Sequence, residues 1–152
     1  MESSLPTADD ISPTKGLQLD ERTALKNFLG KNLDQAEELL TENPLRYLED
    51  FMWMGPNAFK FYYESLSRYL QVHFTPEQAA DSDVLHALIG LLKFRFKYDR
   101  ISITPIAGAI LNDLEFCIGR YEEFEVNESI CGDLLTELRE LREKIAAPPL
   151  RE

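Results

Sequence analysis

Apolar residues recur at offsets of three and four along most of this chain, the period of a helix with one buried face. Ala24, Leu25, Phe28 and Leu29 lie between Asp20, a helix-capping type of residue, and Gly30, a helix stop. Asn32 with Gln35 has the spacing of a capping box and opens a second run through Leu33, Ala36, Leu39 and Leu40. Asn43-Pro44 restarts the chain, because proline suits the first helical position, and Leu45, Leu48, Phe51 and Met52 repeat until Gly55-Pro56. The broadest apolar face follows, on Phe59, Tyr62, Tyr63, Leu66, Tyr69, Leu70 and His73.

Thr75-Pro76-Glu77-Gln78 repeats the capping-box pattern and predicts a short turn or helix. A long helix is predicted from Asp81 or Ser82, with Val84, Leu85, Leu88, Leu91, Leu92 and Phe96 buried. Lys93, Arg95, Lys97 and Arg100 sit near its C-terminus, where cations suit the helix dipole. Ile101-Ser102-Ile103 alternates like a strand fragment, which alone makes no sheet. Thr104-Pro105 then caps a helix through Ile106, Ile110, Leu111, Leu114, Cys117, Ile118 and Tyr121. A last helix after Gly132-Asp133 buries Leu134, Leu138, Leu141 and Ile145 behind an outer face of alternating charge.

The predicted fold is all-α: a compact antiparallel bundle of six to seven short helices with no significant sheet. Residues 1–16, rich in Ser, Thr, Pro and Asp, are expected as a disordered N-terminal tail. Residues 17–147 are expected as a single helical domain and 148–152 as a C-terminal tail.

Charge narrows the range of partners. Sixteen Lys and Arg against 27 Asp and Glu give a net charge of −11. Such a surface repels nucleic-acid phosphates and anionic membranes and attracts a basic protein. Residues 1–50 and 101–152 each hold eleven acids against five bases, whereas 51–100 hold five against six. The apolar stretches are far shorter than a membrane span, the N-terminus has no apolar leader, and the two cysteines are too few for a disulfide scaffold; a cytoplasmic setting is expected.

The chain carries few patterns that signal chemistry. His73 and His86 have no ligand-spaced neighbours. Asp81 and Asp83 resemble an EF-hand opening, but loop position six is His86 and position twelve Leu92. No phosphate loop or GxSxG occurs, so no catalytic residue, metal or cofactor is assigned. Cys131 precedes a helix and, with the scattered carboxylates, is what an enzyme would have to use. The carboxylates, among them Asp113 with Glu115, read as solvent-facing rather than as an acid–base pair. Glu122, Glu123, Glu125 and Glu128 form the densest cluster and the best place to dock a basic partner.

The segment from Phe51 to Tyr63 holds the only Trp and two of the three Met. Two helices joined by a tight turn cannot bury all of it, so Met52, Trp53, Met54 and Phe61 are candidates for exposure, and Met52, Trp53 and Phe61 for partner contact. The run Leu45–Leu70, with Met-Trp-Met-Gly-Pro followed by Ala-Phe-Lys-Phe-Tyr-Tyr, resembles small bacterial helical proteins in which an AFxYYLP-like helix follows a turn. Some proteins of that kind are associated with toxin–immunity neighbourhoods. Here Glu64-Ser65 stands at the Leu-Pro of that pattern, and no residue roles carry over.

Together these features favour a non-enzymatic module, of immunity or adaptor type, that binds a basic protein, with a homodimer also open. A nucleic-acid mimic is a variant of it. The alternative is a small-ligand sensor or carrier with a pocket lined by Tyr62, Tyr63, Tyr69 and His73.

Overall fold

The computed structural model describes residues 4–74, 83–124 and 132–147, and among these there are helices and turns but no strand. The elements are α1 (Ala8–Ile11), α2 (Leu19–Phe28), α3 (Leu33–Glu42), α4 (Pro44–Trp53), α5 (Pro56–Arg68), α6 (Asp83–Tyr98), α7 (Arg100–Ile103), α8 (Ala107–Gly119) and α9 (Leu134–Ala146). A π-helical turn, Tyr69–His73, extends α5. The capping segment 75–78 and Cys131 lie outside the described residues.

The starts and stops follow local chemistry. Asn32 accepts from the Gln35 N–H at 2.8 Å while its own N–H donates to Gln35 Oε1 at 2.9 Å, a complete capping box on α3. Asn43 caps α4 with Pro44 in the first turn, and Asp133 caps α9 through the Thr136 N–H. Asp20 caps nothing: it lies in the first turn of α2, whose flanking residue is Gln18. Ile101–Ile103 coil into α7 rather than extend, and Thr104–Ile106 form a 3₁₀ turn before α8.

α6 lies along α4 and against α9, which also covers α8; α3 fills the angle between α4 and α5. The centre is aromatic. Phe28 meets Phe51 edge-on at 5.5 Å and Tyr62 at 5.2 Å, and the rings continue through Phe59 to Tyr63. Edge-on pairs of this kind add stability beyond the area they bury. Ser65 Oγ donates to the Leu33 carbonyl at 2.7 Å and pins α5 to the start of α3. Leu29 and Leu45, in phase with buried neighbours, are exposed at helix ends.

The N-terminal segment departs from the expected tail. Thr7 and Asp10 form a capping box on α1, and Ile11 is fully buried. The Gly55 N–H donates to the Ile11 carbonyl at 2.9 Å. Glu21 Oε1 accepts from Ser12 Oγ, Thr14 N–H and Thr14 Oγ1 at 3.0, 3.1 and 2.7 Å, tying the following turn to α2. A four-residue helix is too short to show an apolar period, which is why composition alone suggests a tail.

Candidate functional site

The N-terminal segment, the end of α4 and the last turns of α6 enclose a groove of about 220 Å³. Its walls include Pro13 and Glu21, then Met52, Trp53, Met54 and Gly55, then Phe94, Arg95, Tyr98 and Asp99. Trp53 is fixed at both ends: its Nε1–H donates to Glu49 Oε1 at 3.2 Å, and its ring lies 5.1 Å from that of Phe94. Phe94 in turn lies 5.0 Å from Tyr98, four residues on along α6. The three rings make one row, and Tyr98 is 66% exposed at its outer end.

Arg95, in the last turns of α6 as its place in the sequence implies, forms the floor. It is 4% exposed. Its Nε and Nη2 donate to the Phe51 carbonyl at 3.2 and 3.0 Å, Nη2 also reaches the Met54 carbonyl, and Nη1 donates to Asp99 Oδ2 at 2.9 Å. It thereby satisfies carbonyls that the end of α4 would leave bare. Burial lowers its pKa, and Asp99 acts in the opposite direction.

Of the expected partner-contact residues, Met52 and Trp53 line the groove and are half-buried. Met54 is buried, so its side chain belongs to the core. Phe61 is also half-buried but sits elsewhere, its ring edge-on to Tyr62 at 5.1 Å. Glu122 and Glu123 are exposed in the turn after α8 and contribute nothing to the groove; Glu123 accepts from Arg120 at 3.2 Å. Glu125 and Glu128 lie outside the described residues. The acids in the groove's lining are Glu21 and Asp99, and Glu49 accepts from Trp53.

The residues of the carrier alternative are structural. Tyr62 Oη is 2.8 Å from the carbonyls of Phe28 and Lys31, sharing its proton between them at the end of α2. Tyr63 donates to Asp113 Oδ2 at 2.8 Å. Burial pushes both Tyr62 and Tyr69 up to about 12. His73 Nε2 is 3.0 Å from Glu37 Oε2 at the surface. None of the four lines the groove.

Asp113 is not solvent-facing either. It is 1% exposed and accepts from Tyr63, Ser67 Oγ at 3.0 Å and Gln71 Nε2 at 2.9 Å, a network that locks α8 onto α5 and its π turn. Glu115 is exposed and pairs with Arg142 at 2.8 Å. Cys117 is buried among apolar neighbours, and desolvation pushes its thiol up to about 12, far from a reactive thiolate. No group of three or more metal-ligating side chains occurs among the described residues.

Asp50, on α4, is buried against α2, where Asn27 Nδ2 donates to its Oδ2 at 2.7 Å. Desolvation raises its pKa from 3.8 to about 6. Between these values the folded state binds the proton more tightly than the unfolded chain, so this group's contribution to stability falls as pH rises through that window. Asp50→Asn retains an acceptor for Asn27 and removes the titration. Its stability gain over wild type should grow from about pH 4 to about pH 6 and then level off, as read by urea unfolding across pH. A pH-independent difference would contradict the assignment.

The sequence reading misses Phe94, Tyr98, Asp99 and Glu21. Phe94 and Tyr98 are spaced i,i+4, but on the face of α6 opposite Leu92 and Phe96, where polar residues intervene. Arg95 had a signal, since it follows Leu88 and Leu91 at +7 and +4 and so lies on the buried stripe. No protein-family model matches the chain, and neither a curated protein nor a solved structure does. No helix among the described residues is long and apolar enough to cross a membrane.

Proposed function

We propose that the protein is a non-enzymatic interaction module, of immunity or adaptor type, that acts in the cytoplasm and binds a basic protein partner in the Trp53–Tyr98 groove. The observation that carries this reading is the row of three rings, open at Tyr98, set among the carboxylates of Glu21, Glu49 and Asp99. Trp and Tyr in a concave site are the side chains that most often dominate binding energy. Carboxylates at the rim steer an oppositely charged partner, and a net charge of −11 extends that field. The contact surface then lies at the ends of α4 and α6 rather than at the 122–128 cluster.

Immobilised protein should retain one stoichiometric partner from native lysate at roughly 0.05 M salt and lose most of it at roughly 0.5 M, where charge attraction is screened. Tyr98→Ser, at an exposed position, should reduce retention about tenfold or more while leaving the helical circular dichroism unchanged. Glu122→Gln with Glu123→Gln should reduce it much less. Retention indifferent to Tyr98 would overturn the proposal.

A further inference from the structure

Resting on that reading, we infer that the groove is the seat of a single arginine side chain of the partner, stacked on the Tyr98–Phe94–Trp53 row with its guanidinium between Glu21 and Asp99. Four observations converge on this occupant.

The first is size. Small-molecule and cofactor sites generally occupy about 300–1,000 Å³. A groove of about 220 Å³ falls below that range and suits one long side chain.

The second is the balance of donors and acceptors. Arg95 is the one cation in the lining, and its Nε, Nη1 and Nη2 are all committed to Phe51, Met54 and Asp99. The lining cation therefore has no guanidinium nitrogen left uncommitted for an anionic ligand. Glu21 receives its three donors at Oε1, and Asp99 receives Arg95 at Oδ2. Glu21 Oε2 and Asp99 Oδ1 accept no hydrogen bond among the described residues. Two carboxylates in the same lining as the three rings match a guanidinium, which is planar, stacks on rings and donates in a fork.

The third is that a cation already uses this row. Lys97 Nζ lies over the Tyr98 ring, 5.2 Å from its centre. The outermost ring of the row thus already takes a cation, and the partner's arginine would take that place. The fourth is rigidity. Trp53 is held by Glu49 and Phe94, Gly55 by Ile11, and the 12–14 turn by Glu21, so little ordering is left to be done on binding. A second copy of the chain fits poorly, because it would bring another net charge of −11 against the same acids.

The probe is the capped tripeptide acetyl-Leu-Arg-Leu-amide, with acetyl-Leu-citrulline-Leu-amide as its neutral isostere. Trp53 is the only tryptophan, so its emission reports on the groove directly. The arginine peptide should give a saturable change in Trp53 emission, and the citrulline peptide should bind about tenfold more weakly. Tyr98→Ser should weaken the arginine peptide about tenfold. Lys97→Met, which removes that cation from the ring, should instead tighten it two- to threefold or about that. Equal binding of both peptides, or no response to either up to roughly 10 mM, would overturn the arginine assignment. If Tyr98 still controls capture of the native partner in that case, the interaction-module reading survives; if it does not, both fall.

Discussion

Arg95→Met should lower the free energy of unfolding by about 3–5 kcal/mol, more than any other single change considered. Methionine is long enough to fill much of the space, so the loss is electrostatic rather than a cavity. It strips the donors from the Phe51 and Met54 carbonyls and leaves Asp99 without its cation. Removing one partner of a buried charge pair costs far more than the pair contributes, because the other partner stays behind in a poor solvent. Arg95→Lys should recover only part of the loss, since an ammonium cannot span two carbonyls and a carboxylate in one plane. Urea unfolding of the three proteins checks the order wild type, then Lys, then Met. A loss under about 1 kcal/mol for Met would mean that the end of α4 is satisfied by other means.

Gly55→Ala should cost about 2–4 kcal/mol, combining overpacking with the loss of a backbone hydrogen bond. A Cβ there would stand 2.1 Å from the Asp10 carbonyl oxygen and 2.6 Å from Pro13 Cγ. Backbone cannot rotate away as a side chain can, so the N-terminal segment has to lift. That breaks the Gly55–Ile11 hydrogen bond and exposes Ile11. The segment also forms one wall of the groove, so the variant should lose partner retention along with stability. Faster amide exchange at residues 7–16 than in wild type, beyond any global change, is the specific sign. Gly90→Ala is the control, since a Cβ there meets nothing within 4 Å.

These two sites show what the sequence could and could not convey. Helix type was legible wherever a cap and an apolar stripe agreed, as with Asn32 and Gln35 on α3 or the Phe59–Leu70 face of α5. The π turn at Tyr69–His73 was not, because an apolar face looks the same whether the chain adds one residue per turn or not. Half of the candidate site was visible in Met52 and Trp53, whose bulk at a tight turn signals incomplete burial. The other half depends on which face of α6 meets α4. Only packing shows that Phe94 and Tyr98 come up beside Trp53, and that Glu21 arrives from a segment resembling a polar tail. Asp113 was misread because charge implies exposure until three donors, from Tyr63, Ser67 and Gln71, are found around it.

Placing the partner on the surface tests the account most directly. Hydrogen–deuterium exchange of the chain, alone and with its captured partner, should show protection concentrated in residues 12–22, 49–57 and 94–101, with little change at 120–124. Protection centred on 120–124, with 94–101 exchanging as in the free protein, would contradict the groove as the binding site and return the contact to the acidic cluster after α8.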